Sequence, residues 1–315
     1  MKLDRETEAL LYWASSATAT PLWTLTPEAA REEYRRTLGK TEIVPPAIGE
    51  ACDLAVPGPA GPMALRKYVS AKDGDEGRAA ILFMHGGGCV LGDIGTHDIF
   101  CRALCHDTGA TVFSLDYRLA PEHPFPAAVE DTVAALRWLS RQADAMGLDP
   151  SRIAVAGDSA GAGLAAVALH ETKGALAAPV CAQALIYPAL DLRGRLPSRK
   201  VLAEQFPIPR EMIGWFFDHY FGLAWPFTDP RAIPSLYEDY SGLPPALIVT
   251  AGHDPLRDAG QEYAERLSAS GVPVDYDCRE GTIHGFMNMG RVLRSAHDWG
   301  RKRIASWLAA RLHGV

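Results

Sequence analysis

The sequence predicts an α/β protein built on a mostly parallel sheet of eight strands, with helices on both faces. The main observation is an alternation that begins at residue 79, where short apolar runs are each followed by longer amphipathic stretches. The apolar runs predict buried strands near residues 80–84, 111–116, 152–156, 182–187, 246–251 and 273–278. The amphipathic stretches predict sheet-covering helices near residues 97–108, 127–145, 159–173, 257–270 and 292–312. A hydrophobic content of 48% is ample for the core of such a sheet.

The chain before the sheet carries a helical pattern. Residues 1–45 contain no strand signal, and one helix is expected to open at Thr26-Pro27-Glu28, because Pro is favoured at the first helical position. Gly39 is the expected end of that helix. We therefore expect this segment to lie over the sheet rather than within it.

Two further features complete the predicted fold. Strands near 50–56 and 64–69 are separated by a turn cluster from Pro57 to Pro62, and this short link predicts an antiparallel start to the sheet. The interval 188–245 is too long for a simple crossover between parallel strands. Its aromatic residues and prolines predict an insertion with its own helix.

Net charge narrows the classes of binding partner, and the cysteines indicate the cellular compartment. The formal net charge is −7 with a pI near 5.8, which argues against nucleic acid or an anionic membrane as a partner. The six cysteines are scattered without a Cys-x-x-Cys pair, so we interpret them as reduced thiols of a cytoplasmic protein. The apolar run at residues 9–19 follows acidic residues, unlike a signal peptide, and no stretch is long enough to span a bilayer. We expect a soluble protein.

A Gly-x-Ser-x-Gly turn from Gly157 to Gly161 lies between a predicted strand and a predicted helix. Glycines on both sides allow a tight turn that holds the Ser159 hydroxyl clear of the backbone, and the helix N-terminus behind it favours negative charge. The motif alone is common and is usually only a turn. Its strand–turn–helix context makes Ser159 a candidate nucleophile.

A second candidate element is His85-Gly86-Gly87-Gly88, which follows the apolar strand at 80–84. Three glycines at the end of a strand let backbone N–H groups point into a cleft, as the stabilisation of an oxyanion requires. A flexible loop and a phosphate-binding turn are the alternatives. A Walker loop is excluded because no Gly-Lys-Ser/Thr follows.

A serine nucleophile needs a base and a carboxylate that orients the base. Asp254 follows the predicted strand at 246–251, and His284 follows the last strand. The resulting order of serine, acid and histidine is the order of α/β-hydrolases. Asp254 would equally serve as a helix N-cap. The weaker histidine candidates are His97, His106, His170, His219 and His253.

At this point the chain resembles the hormone-sensitive-lipase-like family of α/β-hydrolase carboxylesterases, over about residues 40–312. The resemblance rests on five stretches in the family's order, namely His85–Gly88, Asp116–Asp131, Gly157–Gly161, Asp254–Asp258 and His284–Phe286. The proline-rich loop 116–126 is interpreted as structural bracing. The chain departs from the family pattern at Ala162 and at Ala259-Gly260, and neither position bears a reacting group.

The resemblance implies a role for each matching residue. It implies Ser159 as nucleophile, His284 as general base and acid, and Asp254 as its orienting carboxylate. It further implies an oxyanion hole formed by backbone N–H groups, with His85 bracing the loop; the donors would be Gly87, Gly88 and Ala160. No metal or organic cofactor is implied, and a homodimer is compatible with the family.

The resulting hypothesis is a serine carboxylesterase that hydrolyses short- to medium-chain acyl esters through an acyl-enzyme on Ser159. A non-catalytic small-molecule receptor of the same fold is the alternative from another class, and the presence of His284 argues against it. An amidase or lactonase using the same three residues stays open.

The domain hypothesis places a cap over the site. Residues 1–45 form its N-terminal part, and residues 46–315 form the catalytic domain, with the cap insertion at about 188–235. The cap contains bulky rings, some of which are expected to roof a closed acyl pocket: Trp13, Trp23, Phe206, Trp215, Phe216 and Phe217. Such a pocket favours each added methylene only until it is full, and the family resemblance suggests roughly four to eight carbons.

Overall fold

The computed structural model describes residues 2–16, 20–71, 78–202, 206–223 and 225–314. Its strands form one sheet in the order β1-β2-β4-β3-β5-β6-β7-β8. The strands are β1 (Glu50–Gly58), β2 (Gly61–Val69), β3 (Ala80–Met84), β4 (Thr111–Asp116), β5 (Ile153–Asp158), β6 (Ala182–Ile186), β7 (Ala246–His253) and β8 (Val274–Ile283). β2 is antiparallel to both β1 and β4, and all other neighbours are parallel. The eight-stranded, mostly parallel sheet and its antiparallel start are confirmed.

Helices cover both faces of the sheet, as predicted. The long helices are α1 (Arg5–Ser16), α2 (Pro27–Thr41), α3 (Asp98–Thr108), α4 (Ala127–Gln142), α5 (Ala160–Thr172), α7 (Arg210–Phe221), α8 (Arg257–Ala269) and α9 (Arg294–His313), with a short α6 (Pro197–Val201). Apolar residues of α4, α5 and α8 form one core with alternate strand residues such as Leu82 and Val155. Residues of α3 and α9 form the other core with the intervening residues, such as Ile81 and Ala154. This alternation is the two-residue period of a strand buried on both faces.

Two predictions for the first 70 residues differ from the structure. The hairpin between β1 and β2 turns at Pro59-Ala60 alone, and Pro57 pairs with Pro62 inside the ladder instead of lying in a long turn. This is tolerated because β1 is an edge strand, where a missing N–H donor need not break a sheet hydrogen bond. Helix α2 begins at its Thr26 cap as expected but continues past Gly39 to Thr41.

The interval between β6 and β7 contains α6, α7 and a 3₁₀ turn at Pro234–Leu236, so its described part holds two helices where one was expected. Residues 203–205 and 224 of this predicted insertion, and residues 1 and 17–19 of the predicted N-terminal segment, lie outside the described residues. No helix in the described ranges has the length and apolar character needed to cross a membrane.

Candidate active site

The turn after β5 has the strained geometry that its sequence predicts. Ser159 has φ 54° and ψ −120°, in the left-handed half of backbone space, at the start of α5. A Cβ atom added at Gly161 would lie 2.1 Å from the Met84 carbonyl oxygen, and one at Gly157 would lie 2.6 Å from the Gly161 carbonyl carbon. Both positions therefore require glycine, and the close approach brings the turn against the end of β3.

Ser159, His284 and Asp254 form a continuous hydrogen-bonded chain. The Ser159 Oγ lies 2.9 Å from His284 Nε2, and His284 Nδ1 lies 2.7 Å from Asp254 Oδ2. Asp254 is fully buried, and its other oxygen accepts a hydrogen bond from the Leu256 N–H at 2.8 Å. The three residues meet because each directly follows a parallel strand, β5, β7 or β8, at the same edge of the sheet. The carboxylate thus fixes the imidazole with one nitrogen facing the serine hydroxyl.

The glycine-rich loop after β3 lies beside Ser159. Gly87 has φ 119° and Gly88 has φ 64°, and the Gly87 carbonyl accepts hydrogen bonds from the Val90 and Leu91 N–H groups. No backbone acceptor in the described chain receives the N–H groups of Gly87, Gly88 or Ala160. The Phe216 ring lies so close to Gly88 that an added Cβ would be 2.3 Å from its Cδ1. The loop therefore offers unpaired donors in a cleft that an aromatic ring covers.

His85 lies beneath this loop and holds its first residue. Its ring stacks on Tyr117 at 4.2 Å, and the Tyr117 hydroxyl donates to the His85 carbonyl at 2.8 Å. Burial lowers the pKa of the His85 imidazole to about 4, with the nearby His97 adding to the effect. A neutral, fully buried ring in this position supports the loop and is not placed to exchange protons with the serine.

A buried pair that sequence reasoning missed joins this loop to the serine turn. Asp158 Oδ1 accepts a hydrogen bond from the Gly86 N–H at 2.7 Å and lies 3.2 Å from His97 Nε2. Burial alone lowers the pKa of His97, but the charge and hydrogen bond of Asp158 raise it above its ordinary value. Burial alone likewise raises the pKa of Asp158, and His97 lowers it below its ordinary value. The two groups therefore favour an ion pair.

The position of His97 at the start of a helix could have identified it as a candidate from the sequence. It was predicted to lie inside a helix, whereas it is the N-cap residue that precedes α3. A helix that follows a parallel strand begins at the carboxyl edge of the sheet, which is the edge where the candidate site lies. A polar residue at such a helix start is thus a candidate for contact with the site.

The proline-rich loop at 116–126 is held by charged contacts away from the serine. Arg118 pairs with the buried Asp131 at 2.8 Å, and Arg31 of α2 pairs with Glu122 at 2.7 Å. Arg31 also donates to the carbonyl of Ala120 at 2.8 Å. These contacts brace the loop, as expected from its sequence.

A cavity of about 90 Å³ opens beside Ser159. Its walls are mainly apolar side chains from α5, α7 and neighbouring loops, including Leu164, Val167, Ile208, Ile213, Phe216, Phe217 and Phe221. Of the rings expected over the pocket, Phe216 and Phe217 line it, Trp23 and Trp215 are half-buried against the core, and Trp13 and Phe206 are exposed. The cavity is thus shaped for an apolar group attached near the serine hydroxyl.

Comparison with known proteins gives a consistent relationship. Residues 81–288 match a family model described as alpha/beta hydrolase fold. The chain is 41% identical to "Carboxylic ester hydrolase LipN" of Mycobacterium tuberculosis over 84% of this chain and 72% of that protein. It is 39% identical to "Ethyl acetate hydrolase" of Pseudomonas putida over 70% of each chain. A solved structure of a hyperthermophilic esterase from the archaeon Pyrobaculum calidifontis superposes with a TM-score of 0.90, at 37% identity, over 98% of this chain and 99% of that one.

Fold, strand order and relatives agree with the five motifs found in the sequence. The match of the family model covers the serine turn, the glycine-rich loop, Asp254 and His284. The chain belongs to the hormone-sensitive-lipase-like family of α/β-hydrolases.

Proposed function

We propose that the protein is a serine carboxylesterase that hydrolyses acyl esters through an acyl-enzyme on Ser159. The observation that carries this proposal is the chain from Ser159 through His284 to Asp254, with distances of 2.9 and 2.7 Å, beside unpaired backbone donors. Relatives named carboxylic ester hydrolase and ethyl acetate hydrolase support the same activity.

In the first half-reaction, the Ser159 hydroxyl attacks the ester carbonyl while His284 Nε2 accepts the hydroxyl proton. The carbonyl oxygen becomes an oxyanion, which the N–H groups of Gly87, Gly88 and Ala160 stabilise. The bond to the alcohol then breaks, and His284 returns its proton to the leaving oxygen. The acyl group is left on Ser159.

In the second half-reaction, water takes the place of the alcohol. His284 accepts a proton from the water, which attacks the acyl-enzyme, and the proton then goes to the departing Ser159 oxygen. Asp254 stays ionised throughout, accepts the Nδ1–H of His284 and stabilises the imidazolium that forms in each half-reaction.

The cavity supports a short- to medium-chain acyl group as the substrate. A cavity needs about 10–15 Å³ to hold one water-sized group. The observed volume of about 90 Å³ is several times this minimum, so the cavity has room for more than one such group. We therefore propose an acyl chain of roughly four to eight carbons, the range that the family resemblance suggests.

We also propose the cap as a unit of substrate selection, made from residues 1–45 and about 188–235 around the catalytic domain of residues 46–315. Support comes from α7, whose Phe216 and Phe217 line the cavity, and from Trp23 and Trp215, which are partly buried against the same core. Replacing one of these four aromatic side chains by alanine should change the relative rates on different esters more than it changes the rate on acetate.

The decisive experiment compares wild type with Ser159→Ala on p-nitrophenyl esters, matched anilides and lactones. Ser159→Ala should abolish turnover and labelling by a fluorophosphonate, a loss on the order of 10⁶ in kcat. Ser151→Ala is a matched control, because that exposed hydroxyl bonds only to the neighbouring Asp149. Near-wild-type hydrolysis by a folded Ser159→Ala protein would refute the proposal. Faster turnover of anilides or lactones than of esters would redefine the reaction class.

Two further proposals concern the setting of the enzyme. Six unpaired cysteines, three of them buried, support a reducing compartment such as the cytoplasm. A homodimer is supported by the open edge of β8, which pairs with β7 alone among the described strands. Light scattering across a range of protein concentrations tests the dimer.

A further inference from the structure

The cavity beside Ser159 extends along helix α5. Its floor includes Gly163, Leu164 and Val167, which lie on successive turns of this helix, while Ser159 immediately precedes it. Eight residues of α-helix rise about 12 Å, so the wall from Ser159 to Val167 has about the length of a medium acyl chain. The cavity therefore has a reactive end at Ser159 and a distal end.

A charged group lines this otherwise apolar cavity. Arg231 donates through Nη2 to Asp229 Oδ2 at 2.8 Å and through Nε to Asp229 Oδ1 at 3.2 Å. Its guanidinium carbon lies 5.8 Å from the centre of the Phe125 ring, and 42% of the side chain is exposed. Arg231 thus lines the cavity with a side chain that is ion-paired and partly exposed to water.

Several contacts place Arg231 at the distal end. The Asp229 hydrogen bond raises the pKa of the Arg231 guanidinium, and the charge of Glu171 adds to this effect. Glu171 is in the last turn of α5, at the opposite end of that helix from Ser159. Phe125, which carries the guanidinium on its face, contacts Phe221 at the C-terminal end of α7. The ion pair therefore lies where a chain running from Ser159 along α5 would end.

We propose that the Arg231–Asp229 ion pair closes the acyl pocket and sets the longest acyl chain that the enzyme accepts; this rests on the proposed esterase function. Each methylene that leaves water for the apolar walls raises kcat/KM by up to about fourfold. A chain that reaches the guanidinium displaces water from a charged pair and offers no hydrogen bond in return. Each further methylene then lowers kcat/KM instead of raising it.

The test measures kcat/KM for p-nitrophenyl esters from acetate to dodecanoate with wild type, Arg231→Ala and Arg231→Lys. Wild type should rise to an optimum at about eight carbons and then fall, in line with the rise of about 12 Å along α5 from Ser159 to Val167. Arg231→Ala should match wild type on acetate and butyrate, which do not reach the ion pair. It should exceed wild type at least tenfold on decanoate, since the two methylenes beyond octanoate are accepted at about fourfold each. Arg231→Lys keeps the cation and most of the length, so it should keep the wild-type profile.

The outcomes separate this inference from the function on which it rests. Absence of ester hydrolysis by wild type would overturn the proposed function. Active wild type with an unchanged profile in Arg231→Ala would overturn only the role of Arg231, and unchanged acetate hydrolysis in that variant would show that it is folded. A wild-type preference for monoesters of dicarboxylic acids would mean that Arg231 binds the chain end, and would also overturn the proposal. A shift in chain-length preference that appears only with acetate esters of long-chain alcohols would also overturn the proposal.

Discussion

The buried ion pair between Asp158 and His97 predicts a large, pH-dependent effect of Asp158→Asn on stability. Asp158 is 4% exposed and His97 is fully buried, so water cannot replace either partner. The variant keeps the size of the side chain and an oxygen for the Gly86 N–H, but it removes the charge that faces His97. Breaking a buried ion pair costs about 3–5 kcal/mol. We expect the variant to lose about 2–3 kcal/mol of unfolding free energy at pH 6. This loss is smaller than the full range because His97 can release its proton and so avoid an unpaired buried charge.

The sign of the pH dependence follows from His97. Its pKa is raised in the folded protein, so its charged form stabilises the fold fully below the ordinary imidazole pKa of about 6.5. That contribution is lost as the pH rises through the higher folded value. The difference between wild type and Asp158→Asn should therefore be larger at pH 6 than at pH 9. Asp93, whose own pKa is lowered, also faces the imidazole and keeps its charge in the variant, so part of the charge stabilisation is retained. Glu42 faces the imidazole too, but its raised pKa of about 7 leaves it mostly neutral at pH 6.

The assay is urea unfolding followed by circular dichroism at both pH values, supported by thermal melts. A loss of about 2–3 kcal/mol should lower Tm by about 4–6 °C in a chain of this size. Asp239→Asn, which removes a carboxylate from an exposed pair with Lys173, is the control and should leave the unfolding midpoint unchanged. The reasoning fails if Asp158→Asn costs the same in a His97→Gln background as in wild type, because a true pair must show coupling.

Three further predictions concern other parts of the site and its support. Asp254→Asn should reduce kcat on the order of 10⁴-fold without unfolding the protein, because the amide no longer selects the His284 tautomer; a pre-steady-state burst assay on p-nitrophenyl acetate measures it. Gly161→Ala should cost about 1–3 kcal/mol in urea unfolding, since its Cβ would meet the Met84 carbonyl oxygen at 2.1 Å. Gly214→Ala on α7, where no atom lies within 4 Å of the added Cβ, should be neutral or stabilising, and an equal loss in both variants would contradict this reasoning. Burial raises the pKa of Glu42 to about 7, so its ionisation opposes folding as the pH rises; Glu42→Gln should be about 2 kcal/mol more stable than wild type at pH 9 and no more stable at pH 4.

The order of elements and the meeting of three site residues could be predicted because parallel strands leave little choice. Strands β5, β7 and β8 run in one direction, so residues directly after them must lie at one edge of the sheet. The sequence places Ser159, Asp254 and His284 at those strand ends. Their mutual distances then follow from the order of the strands.

Other features could not be predicted because periodicity does not specify contacts between elements that are distant in the sequence. Trp13 and Phe216 carry similar apolar signals, yet Trp13 is 63% exposed and Phe216 contacts Gly88. The link between His97 and Asp158 depends on the rotation of α3 about its axis, which packing against α9 determines. The hairpin pairing of Pro57 with Pro62 depends on β1 being at the edge, which local sequence does not reveal.

The backbone conformation of Ser159 implies that this protein would be more stable without the residue that we propose as its nucleophile. A non-glycine residue at φ 54° and ψ −120° costs about 1–3 kcal/mol, and only the surrounding packing maintains it. Ser159→Gly would relieve that cost and also remove the hydroxyl, giving an inactive chain with a higher melting temperature. Selection for thermal stability alone would therefore favour glycine at position 159 and so remove the hydroxyl. Stabilising substitutions for an engineered version are better sought at glycines where an added Cβ meets no neighbouring atom, such as Gly214.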